Sequence, residues 1–233
     1  MRRYSQRLTQ WPAVGLVRFG SLRRVTPISR EFGLDRGQSI DRYYIEAFLA
    51  RHAADIGGRV LEIGDDRYTR KFGGKRVSCS DVLNLRTGDP KTTLVSDLAK
   101  AERISSDVFD CIILTQTLQF IYDIREALGH LHRVLKPGGV LLATAAGISQ
   151  ISRYDMERWG DYWRFTTLSL RRLFEECFPA TNIDVQACGN VLAAVAFIEG
   201  LSAAELRSEE LDHGDPDYEL LITVRAVKSG GVV

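Results

Sequence analysis

Apolar positions along the chain alternate between two rhythms. Residues 60–63, 109–115 and 140–144 are short, nearly unbroken hydrophobic runs, the pattern of strands covered on both faces. Helical spacing lies between them. Tyr44, Phe48 and Leu49 share one face of a helix predicted from Arg42 to about Ala54, with Asp41 as its N-cap. Ile124, Leu128, Leu131 and Leu135 recur at intervals of four, three and four, predicting a helix capped by Asp123 and stopped by Lys136-Pro137-Gly138-Gly139. Shorter strand signals lead into Asp81, over 76–80, and into Asp97, over 93–96. Beyond an aromatic, charged loop at 151–165, a helix is predicted from Thr166 or Thr167 to about Cys177. Strands at 183–186 and 220–224 bracket a helical stretch over 190–206 and an acidic surface loop over 209–217. Strands alternating with helices predict one α/β domain.

Composition narrows this picture at the amino end. The 233 residues carry a net charge of +1, so bulk electrostatics favour neither nucleic acid nor membrane. Before Glu31, however, stand Arg2, Arg3, Arg7, Arg18, Arg23, Arg24 and Arg30 without one Asp or Glu. We read residues 1–36 as a basic arm, irregular because Pro12, Gly15, Gly20, Pro27 and Gly33 interrupt it, and 37–233 as the folded domain. The arm is a solvated cap, a surface that touches a partner or membrane, or a targeting segment. No run approaches the roughly 18 apolar residues of a membrane-spanning helix, and no secretory pattern follows the first arginines. Cys79, Cys111, Cys177 and Cys188 form no Cys-x-x-Cys pair, so reduced thiols in a cytoplasmic protein, with no metal site, are expected.

The order of motifs resembles the class I S-adenosylmethionine-dependent methyltransferases. The resemblance covers residues 40–228 and is strongest over FDCIILTQTLQFIYD (109–123) and RVLKPGGVL (133–141), similar to that family's fourth strand, following helix and "LKPGG" turn. It implies a Rossmann-like, seven-stranded, mostly parallel sheet with helices on both faces, and S-adenosyl-L-methionine as cofactor. The segment DYWRFT (161–166) is similar to one in methyltransferases encoded beside bacterial glycan-assembly enzymes. That implies a small-molecule or saccharide acceptor, methylated at oxygen.

Carried over by motif, Glu62 and Gly64 open the cofactor turn, where a small residue lets backbone N–H groups approach the ligand. Asp81, nineteen positions after Glu62, corresponds to the acid that binds ribose hydroxyls, since a carboxylate accepts two hydrogen bonds from a diol. Asp97 with Leu98 corresponds to the adenine position, and Gln116 to the methionine end. Asp66 and Tyr68 stand where the family's second and third glycines do. Either Asp66 turns its carboxylate to the cationic end of the cofactor, or the pocket is partly closed. Phe120 replaces the His common at its position.

Arg42 is expected to hold the cofactor carboxylate or an acceptor anion, or to pair with Asp41 or Glu46. Tyr44 belongs to the same lidding helix. On the acceptor side, Asp155, Asp161 and Arg164 are the candidate catalytic groups. Trp159, Tyr162 and Trp163 are the candidate binding faces, or else cover the sheet edge. Each aspartate after a strand is equally a turn former. Two other classes stay open: a binding or scaffold protein that kept the fold, and a nicotinamide oxidoreductase, disfavoured because Gly64–Tyr68 lacks Gly-x-Gly-x-x-Gly.

Overall fold

The computed structural model describes residues 11–13 and 15–230; Arg2, Arg3 and Arg7 of the basic arm lie outside them. Seven strands form one sheet in the order β3-β2-β1-β4-β5-β7-β6. They are β1 (Gly58–Ile63), β2 (Val77–Asn84), β3 (Leu94–Val95), β4 (Phe109–Thr115), β5 (Leu135–Ala146), β6 (Ile183–Cys188) and β7 (Leu221–Val227). The first five are parallel, while β7 runs antiparallel to both β5 and β6.

Strand β4 shows why the centre holds. Leu61, Ile112, Leu114, Leu141 and Ala143 face a core built with α2 (Ile124–Val134) and α3 (Thr167–Glu175). Their neighbours Val60, Cys111, Ile113, Val140 and Leu142 face a second core built with α1 (Ile40–Arg51) and α4 (Val191–Glu199). Successive side chains of a strand point to opposite faces, so a run apolar at every position requires cover on both. Each fully buried Leu or Ile contributes about 1.5–3 kcal/mol by leaving water.

Four local expectations change. Helix α1 begins at Ile40 with Ser39 as its N-cap residue, so Asp41 lies in the first turn rather than before it. Strand β2 runs through Asp81 to Asn84, four residues further than expected. Leu135 starts β5 instead of ending α2, because a residue before proline avoids the helical region and Lys136-Pro137 already runs extended; the Pro-Gly-Gly stretch is then a bulge between the Phe109–Leu135 and Cys111–Val140 pairs. Helix α4 stops at Gly200, whose left-handed φ of 74° caps it, and a short helix α5 (Ser208–Asp212) occupies the stretch read as loop.

The carboxyl end of the arm is tied to the rest of the chain. The Ile28 and Ser29 N–H groups donate to the Glu199 carbonyl at 2.8 and 3.0 Å, and Arg36 pairs with Glu205. Residues 28–36 are thus built into the domain. All four cysteines are free thiols.

Candidate active site

The strand order reverses between β1 and β4, and open α/β sheets bind ligands in the crevice outside the carboxyl ends at such a point. Two cavities lie there. The first, about 400 Å³, is lined by Gly64 after β1, Asn84 and Leu85 at the end of β2, Asp97 and Leu98 after β3, and Thr117 after β4. Tyr122, Trp159 and Tyr162 form its mouth. The second, about 300 Å³, is lined by Asp41, Arg42, Tyr68, Gln119, Asp155, Asp161 and Arg164 among others. Gln116 and Phe120 line both.

The turn after β1 explains how the first cavity stays open. Gly64 has φ of 92°, a conformation side chains rarely adopt, and a Cβ built there would meet no protein atom within 4 Å. Beneath it the buried Glu62 carboxylate accepts the Tyr68 and Thr69 N–H groups at 3.1 and 2.7 Å, tying the turn to the short helical segment that follows. Burial pushes the Glu62 carboxyl up to about 7 despite these bonds. Asn84 donates to the Gly64 carbonyl at 3.2 Å and to Thr92 Oγ1 at 2.8 Å, leaving its own amide oxygen as an acceptor beside the cavity. Asp97 caps the turn over Leu98–Lys100 by accepting the Ala99 N–H at 2.9 Å.

Residues 47–143 match the family model of the methyltransferase domain. That span is less than half of the chain, whose fold is the Rossmann-like one of class I methyltransferases. Similar solved structures agree in fold. A SAM-dependent methyltransferase from Archaeoglobus fulgidus is 12% identical over 80% of this chain and 94% of its own, with a TM-score of 0.54. The N-methyltransferase NodS from Bradyrhizobium japonicum, in complex with S-adenosyl-L-homocysteine, is 14% identical over 82% and 89%, with a TM-score of 0.53. The cyclase SpnF is 16% identical over 83% of each chain, also at 0.53. At these identities the likeness is one of fold. No curated protein sequence matches the chain.

Within this fold, the expected residues divide. Gly64, Asp97, Leu98 and Gln116 come together around the first cavity. Arg42, Asp155, Asp161 and Arg164 come together around the second. Trp159 and Tyr162 were expected on the acceptor side but line the first cavity instead, because the 151–165 loop folds over its mouth. Trp163 lines neither; its indole N–H donates to the Ile121 carbonyl at 3.0 Å and its ring lies 5.9 Å from that of Tyr122. Tyr44 is buried under α1, its hydroxyl donating to the Leu211 carbonyl at 2.8 Å, and so it reaches no ligand space.

Asp81 also departs from expectation. It pairs with Leu61 in mid-strand, accepts from Arg59 Nε at 2.6 Å and Thr93 Oγ1 at 3.0 Å, and does not line the cavity. Asn84, three residues further along β2, lines the cavity instead, and its uncharged amide gave no signal in the sequence. Asp66 faces Arg70 at 2.5 Å and Lys91 at 3.0 Å, away from both cavities. Burial alone would raise its carboxyl, but the Lys91 hydrogen bond and the Arg70 charge outweigh it and hold it below the usual range. Neither Asp66 nor Tyr68 therefore closes the first cavity; Tyr68 lines the second, where its hydroxyl meets Arg42 Nη1 at 3.2 Å.

In the second cavity, Asp161 is a closed partner. It accepts from Arg164 at 2.5 and 3.0 Å and from the Ser152 N–H at 3.0 Å. Burial opposes its charge, but the Arg164 bonds prevail and lower its pKa, which makes it a poor base. Asp155 accepts from Ser152 Oγ at 2.6 Å and the Trp159 indole N–H at 3.0 Å. Arg42 forms no ion pair with a carboxylate among the described residues, contrary to the option of pairing with Asp41 or Glu46 through its guanidinium.

Two residues that sequence reasoning did not assign to the site, Asp41 and Gln119, complete this cavity with Gln116 between them. Asp41 accepts from Ser39 Oγ, from the Arg42 N–H at 2.8 Å and from Gln116 Nε2 at 3.4 Å; burial raises its carboxyl against the Ser39 bond and the Arg42 charge. Gln116 sits at φ of 48°, left-handed for a non-glycine residue, and its Oε1 accepts from Gln119 Nε2 at 2.8 Å. Gln119 ends this chain with a buried Oε1 that has no partner among the described residues. A polar residue in the first turn of a helix, or four positions after a strand, carries no periodic signature.

Proposed function

We propose that this domain transfers a methyl group from S-adenosyl-L-methionine to a hydroxyl of a small-molecule or saccharide acceptor. The observation that supports it most is the pair of cavities meeting at Gln116 and Phe120 outside the carboxyl ends of β1 and β4. The first fits the cofactor: its volume is in the range of ligand sites, roughly 300–1,000 Å³, and Gly64 leaves backbone exposed where a side chain would stand. Gly64 and Gln116 would flank the methionine part, the Asn84 amide oxygen would accept from ribose, and Asp97 with Leu98 would hold the base. Arg42 faces the cofactor carboxylate or an anionic acceptor group. When bound, the cofactor supplies an electrophilic methyl on a sulfonium.

The chain's own part is positioning and proton removal. Phe120 and Gln116 stand between the two spaces and align the acceptor, a form of catalysis worth up to about 10⁵–10⁸ M in effective concentration. A hydroxyl acceptor must also lose its proton. Asp41, with a raised pKa and a place in the acceptor cavity, is the base this geometry favours; Asp155 is the second candidate. Asp161 and Arg164 shape the wall. Tyr122, Trp159 and Tyr162 offer faces on which the acceptor or the cofactor base packs.

The test is incubation with S-adenosylmethionine carrying a labelled methyl group and a panel of hydroxylated acceptors. Label transfer to an oxygen is the expected result. Binding of S-adenosylhomocysteine without transfer to any acceptor favours the binding-protein reading, and transfer to nitrogen alone removes the role given to Asp41.

A further inference from the structure

Helix α4 is apolar all round: Val191 to Ile198 contains no polar side chain. Such a helix is normally enclosed on every side. Here only half of it is. Ala193, Ala194, Ala196 and Phe197 pack into the core, while Val191, Leu192, Val195 and Ile198 stand 41–50% exposed along the opposite stripe. The methyl-transfer reading uses none of these four side chains.

A second observation lies beside it. The chain crosses the carboxyl end of α4 at Ile28 and Ser29, whose N–H groups bond Glu199, and Phe32 lies 6.0 Å from Phe197. Immediately upstream, Arg18, Arg23 and Arg24 are exposed, interleaved with exposed Leu16, Val17, Phe19 and Val25. Arg24 is four residues from Ile28, so chain length alone keeps it within about 14 Å of that point. Arginine alternating with aliphatic and aromatic residues, next to a bare apolar stripe, is the composition of surfaces that enter a lipid headgroup layer.

We infer that the α4 stripe and the adjoining basic arm form a docking surface for an anionic lipid bilayer. A second copy of the chain fits less well. A nine-residue helix is about 13 Å long and about 10 Å broad, so its stripe covers on the order of 130 Å², far below the roughly 800 Å² per partner of a stable interface. An anionic surface meets both features at once: apolar side chains enter the interface while each arginine adds attraction that decays within the Debye length. The inference stands apart from the methyl-transfer reading and tests separately from it.

The experiment is co-sedimentation of the full chain with phosphatidylcholine vesicles, with and without phosphatidylglycerol, alongside Leu192→Asp and the double variant Arg23→Glu, Arg24→Glu. All three substituted side chains are exposed, and circular dichroism confirms that each variant folds. Expected is binding to the phosphatidylglycerol vesicles that falls about tenfold or more in either variant, and weakens likewise in about 1 M salt, where the Debye length is about 3 Å. No binding to those vesicles overturns the inference, as does binding unchanged in both variants. A dimer in analytical ultracentrifugation that Leu192→Asp dissolves, without vesicle binding, overturns it in favour of a second copy.

Discussion

On the Gly64 side of the crevice, the cavity is shaped by what is absent: a glycine at φ of 92°, strand ends, and few fixed polar side chains. On the Arg42 side the wall is a network in which Asp41, Gln116 and Gln119 form one hydrogen-bonded run and Asp161 with Arg164 another. The first arrangement suits one ligand recognised largely by backbone and shape. The second places charge and hydrogen-bond polarity where an acceptor would react. The division teaches that neither departure from the family's glycine pattern fills the first cavity: Tyr68 lines the charged one, and Asp66 is held outside both by Lys91 and Arg70.

Asp41→Asn gives the sharpest contrast between the two sides. It keeps an acceptor for the Arg42 N–H but removes the base, so kcat falls by about 10²–10⁴-fold while S-adenosylhomocysteine affinity, by calorimetry, stays within about threefold, the scale of one weak hydrogen bond. A fall in affinity as large as the fall in kcat would merge the two cavities into one function.

Glu62, which pins the turn between the cavities, supplies a pH dependence. Its carboxyl holds a proton up to about 7 in the fold and gives it up near the ordinary glutamate value of 4.5 when unfolded. Between those values the folded state binds more protons, so stability from this group is highest below about 4.5 and declines as pH rises to about 7. The full shift corresponds to about 3 kcal/mol at 1.36 kcal/mol per unit. Urea unfolding of the native protein and of Glu62→Gln at several pH values checks it. The variant is less stable at acid pH, because an amide cannot accept both N–H groups, and it lacks the decline. The same decline in both would assign it elsewhere.

Asn84 and Asp81 divide the ribose-side question. Asn84→Ala is expected to weaken S-adenosylhomocysteine by about 0.5–1.5 kcal/mol, the worth of one neutral hydrogen bond. Asp81→Ala leaves that affinity unchanged and lowers the unfolding free energy by about 1–3 kcal/mol, because Arg59 and Thr93 lose their shared partner. The reverse pattern would restore Asp81 to the site.

How much of this was legible depends on what each residue answers to. Strands β1, β4 and β5 were readable because residues such as Ile112 and Ile113 must both be buried, on opposite faces. The end of β2 was misplaced because Asp81 looks like a terminator; within the sheet, Arg59 and Thr93 satisfy it and the strand continues. Gly64, Asp97 and Gln116 were readable from the order of motifs. Asp41, Asn84 and Gln119 were not. Their roles arise from where α1 crosses the strand ends and how the segment after β4 turns back, and no local pattern encodes that geometry. Tyr44 and Trp163 were misassigned for the same reason, since an aromatic beside a cofactor and one that anchors a helix or loop have the same sequence signature.

The division rests on Gly64. Calorimetric titration of S-adenosylhomocysteine into the native protein and into Gly64→Ala tests it most directly, because the added Cβ meets no protein atom within 4 Å and intrudes only on the cavity and on a left-handed backbone. Micromolar binding by the native chain, weakened about 100-fold or more in the variant through backbone strain and lost ligand space, is the predicted result. No heat with the native protein, or equal affinity in a folded Gly64→Ala, would contradict it.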